Sequence, residues 1–166
     1  AQDNQQGITD TRVTQIMPRF LLNGWVYPLD KDVEFEPFSE TLEAFVILSG
    51  EELNEFLSNI ELLKTTGNTS TLSKLDMGME LVVGGYYQWR PLKGNPLSIT
   101  SVSLDGHNVT IDMNLEQDPL GHERPYLSAP MHMSAVRRDS IPTTTDVTFI
   151  FSVNGEESAR LIRMLD

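Results

Sequence analysis

Ile99-Thr100-Ser101-Val102-Ser103-Leu104-Asp105-Gly106-His107-Asn108-Val109-Thr110-Ile111-Asp112-Met113-Asn114-Leu115 is the stretch that decides the fold. Val109, Ile111, Met113 and Leu115 alternate with Thr110, Asp112 and Asn114, so a strand here puts one face on a core and the other toward solvent. Asp105-Gly106 supplies the positive φ angles of a tight hairpin turn, which pairs this strand with the run Ile99 to Leu104 before it. Asn154-Gly155 repeats the signal between Val147–Val153 and Ser158–Met164.

Working outward, short β-favouring runs separated by turn residues fill the chain from Met77 onward, the pattern of an antiparallel sandwich or barrel. Strands are expected at Met79–Val83, Tyr86–Arg90, Ile99–Leu104, Asn108–Leu115, Met131–Arg137, Val147–Val153 and Ser158–Met164. Upstream, Ala44-Phe45-Val46-Ile47-Leu48 reads as a buried strand. Val13 to Tyr27 reads as short extended pieces, broken by Pro18 and Asn23-Gly24. One helix stands out. Ser49 and Glu52 have capping-box spacing, and Leu53, Phe56, Leu57, Ile60 and Leu63 recur at helical intervals, predicting a helix near residues 51–64 packed on the sheet and closed by Gly67-Asn68-Thr69-Ser70. Residues 1–11 lack periodicity and large apolar groups and read as a disordered leader; 12–166 read as a single β-rich domain, giving a mainly β (α+β) class.

The chain has 166 residues, enough to bury a core without covalent staples. Its 12 basic and 24 acidic side chains give a net charge of −12, which repels nucleic-acid phosphates and argues against that partner. No apolar run is long enough to span a bilayer as a helix, so membrane insertion is not expected. The polar start Ala1-Gln2-Asp3-Asn4-Gln5-Gln6-Gly7 resembles the new terminus left when a signal peptide is removed, and Asn68-Thr69-Ser70 and Asn108-Val109-Thr110 are glycosylation sequons. The absence of cysteine excludes disulfides and thiolate chemistry and is compatible with a bacterial envelope protein, so the expected location is secreted or periplasmic.

Catalysis has no visible frame. His107, His122 and His132 belong to the one residue type whose unperturbed side chain titrates near neutrality, and none sits in a recognised motif. There is no nucleophile elbow, zinc helix, calcium loop or phosphate-binding glycine loop. The run Met131-His132-Met133 has copper-type ligands, but strand alternation puts the methionines on the face opposite the imidazole. Asp30, Asp32, Glu34 and Glu36 alternate in an acidic loop that reads as solvated rather than metal-binding. No cofactor, metal or catalytic residue is expected. A hydrolase reading built on His122 with Asp118 or Glu123 is the least supported alternative.

The most distinctive local string is Gly84-Gly85-Tyr86-Tyr87-Gln88-Trp89. A glycine pair inside a strand marks a bulge or a close backbone approach, and the aromatics after it either enter the core or form a recognition edge on which Tyr86 reaches solvent. Gly84, Gly85, Tyr86, Tyr87 and Trp89 are therefore the candidate binding residues.

These segments give the chain a resemblance to the C-terminal domain of PrcB, the accessory subunit of a secreted subtilisin-like protease complex. Phe45 to Leu63 is similar to that family's apolar strand and acidic helix, Leu81 to Tyr86 to its strand entering a Gly-Gly-Tyr turn, Ile99 to Leu115 to its hairpin, and Pro125 to Val136 to its Pro-aromatic stretch and next strand. The likeness spans about residues 43–150 and departs where no Pro-Thr precedes Gly84-Gly85. It implies a non-catalytic protein that docks a partner in the envelope, such as a protease. Gly85-Tyr86-Tyr87-Gln88-Trp89 also resembles a loop motif of chagasin-like cysteine protease inhibitors. The expectation is a non-enzymatic protein-binding or self-assembling module; the alternative is a small-ligand or carbohydrate binder that uses Tyr86, Tyr87, Trp89 and Trp25 as stacking surfaces.

Overall fold

The computed structural model describes residues 13–28, 42–66, 70–87, 97–116, 129–141 and 146–165. The leader, the acidic loop with Asp30 to Glu36, Asn68, Trp89, Asp118, His122 and Glu123 lie outside the described residues. The chain order is β1 (Val13–Ile16), β2 (Arg19–Pro28), β3 (Leu42–Ile47), α1 (Gly50–Ser58), β4 (Ile60–Thr66), α2 (Ser70–Ser73), β5 (Glu80–Tyr87), β6 (Leu97–Asp105), β7 (Asn108–Leu115), β8 (Ala129–Arg137), a 3-10 turn (Arg138–Ser140), β9 (Asp146–Val153) and β10 (Glu156–Met164). Two five-stranded sheets result, ordered β1-β6-β7-β9-β10 and β3-β5-β8-β2-β4. All strand pairs within them are antiparallel except β7 with β9. The fold is a mainly β sandwich with one packed helix of more than a single turn, as the period-two runs predict.

Two cores hold it together. Between the sheets, Val109, Ile111, Met113 and Leu115 of β7 and Val147, Phe149, Phe151 and Val153 of β9 meet Leu42, Val46, Leu81, Val83 and Val136 of the facing sheet. On the other face of that sheet, Val82, Met131, Met133 and Ala135 pack with Leu53 of α1 and with Leu72, and half-buried Phe56 and Leu57 lie against the same cluster. The second sheet is thus covered on both sides. This explains why β8 is buried along Ala129 to Val136 while β7 and β9 alternate.

The turns follow their chemistry. In the β6–β7 hairpin Asp105 pairs with Asn108, leaving Gly106 and His107 as the two loop residues, and Gly106 alone takes positive φ (63°). In the β9–β10 hairpin both Asn154 (52°) and Gly155 (88°) are left-handed, the conformation of a type I′ turn. Asn154 does more than turn the chain. Its amide N–H donates to Met113 O at 2.9 Å, its Nδ2 to Leu115 O at 3.0 Å, and its Oδ1 accepts from Leu115 N at 3.0 Å. The side chain thereby extends the β7–β9 ladder past the end of β9.

Three expectations are corrected. The predicted helix over 51–64 ends at Ser58, where Asn59 caps it by donating to Phe56 O, and Ile60 onward forms β4 against β2. Leu53, Phe56 and Leu57 satisfy the helical stripe, and pairing with β2 then outweighs local propensity. The capping box itself is present: Ser49 Oγ accepts from Glu52 N at 3.2 Å, while Glu52 reaches back to Leu48 N at 3.4 Å. Asn23-Gly24 does not break β2, because Gly24 at φ 147° carries the strand through, with register shifts on either side. Nor does Gly84-Gly85 end a strand: β5 pairs with β3 and β8 in unbroken register through both glycines.

The second of these glycine sites sets a sharp packing limit. A Cβ at Gly84 would overlap the carbonyl oxygen of His132 and stand 2.6 Å from Phe45 Cζ. Gly84→Ala is expected to lower folding stability by about 3 kcal/mol, since the backbone oxygen cannot step aside. An unchanged urea midpoint would show that β3, β5 and β8 do not approach this closely. Asn154→Gly keeps the left-handed turn and removes both side-chain bonds to Leu115; a loss of about 2 kcal/mol is expected in the same measurement.

Candidate functional site

The glycine–aromatic string occupies an interior position. β5 has a strand on each side, Gly84 and Gly85 are buried, and Tyr86 is 6% exposed within the cluster beneath α1. Tyr86 therefore does not form the solvent-reaching edge anticipated for it, because the strand that carries it is central and its face is covered by the helix layer. Tyr87 ends β5, with its side chain outside what is described, as Trp89 is entirely.

The two described histidines lie apart. His107 lies in the β6–β7 turn, in one sheet, and His132 in β8, in the other. Strand alternation separates Met131 and Met133, in the helix-side cluster, from His132, as the sequence predicts. Among the described residues no group of three or more His, Asp or Glu side chains could hold a metal ion.

His132 is nonetheless unusual. It is 6% exposed, its Nε2 stands 3.1 Å from Ser134 Oγ, and the Phe20 ring meets it edge-on at 5.4 Å between centroids. Asn23 is its register partner on β2, so the two side chains share a face. His132 Nδ1 and Asn23 Oδ1 are both buried without a hydrogen-bond partner. Burial pushes the imidazole down to about 4, the backbone of Leu97 pulling more weakly the other way. The ring is neutral at pH 7. Ser134, at 2% exposed, is out of solvent's reach, so this His–Ser pair is a feature of the core rather than an open reaction centre.

A better candidate lies on the surface, at the end of the second sheet. Met17, Arg19, Asp76, Met79, Glu80, Ala135 and Arg137 line an open cavity of about 350 Å³. Met17 sits between β1 and β2, where the chain crosses from one sheet to the other, and Met79 just precedes β5. Met17 falls within the extended run Val13 to Tyr27 and Met79 at the start of an expected strand, yet they are 88% and 53% exposed. Two fork-like ion pairs flank them. Arg19 donates to Glu80 through Nη2 (2.7 Å) and Nε (3.2 Å), and Arg137 to Asp139 through Nη2 (2.8 Å) and Nε (3.1 Å). That bond holds the exposed Asp139 carboxyl below its ordinary range. Such exposed pairs add little stability, but they fix long side chains as polar walls around flexible thioethers.

Sequence reasoning missed this groove because exposure at strand ends depends on where the other sheet stops. The available signal was Met17 directly before Pro18 and Met77-Gly78-Met79 beside a turn residue. Comparison with protein-family models, curated proteins and solved structures finds no match to this chain.

The His132 geometry has a direct consequence for acid stability. The unfolded chain takes up a proton at this residue below about pH 6.5, whereas the folded protein resists doing so until about pH 4. Stability is thus lost as pH falls through that window, by about 2 kcal/mol at pH 5 and on the order of 3 kcal/mol in full. His132→Gln is expected to flatten this part of the curve of unfolding free energy against pH; a variant curve parallel to wild type would refute the assignment.

Proposed function

We propose that this chain is a non-enzymatic protein-binding module of the secreted or periplasmic space, which docks an apolar side chain of a protein partner between Met17 and Met79. The observation that carries the reading is the exposure of two methionines on one groove walled by Arg19 and Arg137. Thioether side chains are polarizable and unbranched, so they re-pack around an incoming group, and arginine at the rim supplies directional hydrogen bonds. The absence of cysteine and the resemblance to an accessory subunit of a secreted protease complex support the placement and the class of partner. Among the described residues no helix is long and apolar enough to cross a membrane.

Self-association is a second reading with its own observation. β10 is an edge strand whose Ile162 and Met164 are 63% and 57% exposed. Its neighbour across the corner is β3, whose Val46 carbonyl is taken by Arg163, so association would use the outer face of β10 rather than that seam.

Pull-down from native envelope extract with the wild-type chain, and in parallel with a Met17→Ser/Met79→Ser variant, tests the leading reading. A specific partner should be retained by wild type and bound at least about tenfold more weakly by the variant, given the apolar burial lost from two side chains. Equal recovery by both, or a partner recovered by neither, would count against it. Size-exclusion chromatography of wild type and Ile162→Ser separates the second reading: a concentration-dependent dimer abolished by Ile162→Ser supports self-association.

A further inference from the structure

On the other side of the turn that carries Asp76 to Met79 lies a second cavity, of about 440 Å³, where the end of β3, the start of α1, the 3-10 turn and the end of β10 meet. Two guanidinium groups stand in its wall. Arg163 is answered by a carboxylate: its Nη2 lies 2.9 Å from both oxygens of Glu52, and its Nη1 donates to Val46 O at 2.8 Å.

Arg138 is held differently. Its Nε donates to Met77 O at 2.9 Å and more weakly to Glu80 O, its Nη1 to Leu165 O at 2.7 Å, and its Nη2 to Leu48 O. These partners are all backbone carbonyls, and no carboxylate pairs with Arg138 among the described residues. Carbonyl dipoles hold the group in place without cancelling its charge. A guanidinium carries five N–H bonds, so each terminal nitrogen of Arg138 keeps an N–H that these carbonyls do not use. Glu52 is the one acidic residue among the described residues lining it, so those side chains sum to a single positive charge in a chain of net charge −12. Among the polar groups of the wall stand the apolar side chains of Leu48, Met77 and Met164.

We propose that this cavity binds a small organic carboxylate, its head against Arg138 and Arg163 and its apolar body along Met77 and Met164. The planar fork of a guanidinium matches a carboxylate, which a net charge of one balances, and the Met77 and Met164 side chains beside it give a short alkyl body contacts that an inorganic anion lacks. The site is separate from the methionine groove and stands or falls without it.

Amide NMR titration of the intact chain tests the assignment, with sodium butyrate as probe and sodium phosphate and sodium chloride at matched ionic strength alongside. Butyrate should shift the amides of Leu48, Ser49, Gly78 and Leu165 to saturation. Arg163→Gln should weaken that binding about tenfold, the worth of one charge-assisted hydrogen bond. Glu52→Gln, which preserves an oxygen for the helix cap and removes the competing charge, should strengthen it severalfold; it carries the test if Arg163→Gln fails to fold. Shifts that do not saturate, shifts that chloride reproduces, or tighter saturation by phosphate would each overturn the proposal.

Discussion

The architecture depends on β8 being enclosed on every side. It pairs along both edges, with β5 and with β2, and its two faces look into two different cores. Where the packing is tightest its partner gives way: Gly84 and Gly85 stand opposite Met133 and His132, letting Phe45 and the His132 carbonyl close in where a Cβ would intrude. If β8 were displaced, the helix layer would lose its platform and the facing sheet its counterpart. The orphaned polar atoms of His132 and Asn23 are tolerated only because the surrounding apolar contacts over-determine the position of this strand.

What could be read from the residues follows from how many faces each strand buries. β7 and β9 cover one core only, so their alternation survives in the sequence and their positions agree with it. β8 is buried on both faces, so Met131, His132 and Met133 carry no alternation by which to judge exposure. β4 was hidden for a different reason: Ile60 continues the helical spacing of Leu53, Phe56 and Leu57, and only its long-range pairing with β2 makes it a strand. The aromatic string drew attention by composition, yet Tyr86 serves the core. Met17 and Met79 drew none, because the neighbouring Pro18 and Gly78 mark breaks in the chain but not which side chains the facing sheet leaves uncovered.

Arginine use shows the same distance from local sequence. Arg138 ties together carbonyls of Leu48, Met77, Glu80 and Leu165, segments that only the folded chain assembles, and Arg163 joins β10 to β3 and to the first turn of α1. The corner between the two sheets is therefore closed by polar contacts laid over the hydrophobic packing of Val46, Leu48, Leu161 and Leu165, which leaves charge near the surface of a strongly acidic molecule. The methionine groove and the arginine-lined cavity both sit beside the turn that carries Asp76 to Met79.

The one parallel junction among the described strands, β7 beside β9, has a kinetic meaning. Parallel neighbours cannot be joined by a tight turn, and here the chain leaves the first sheet, runs through the other as β8, and returns before the junction forms. Hairpins β6–β7 and β9–β10 can each zip locally, but they unite only after the intervening segment has found its place, a closure over many residues that slows the search for the native state. During synthesis the first sheet consequently stays incomplete until nearly the whole of this sequence has emerged, with the apolar faces of its early strands awaiting their last neighbours.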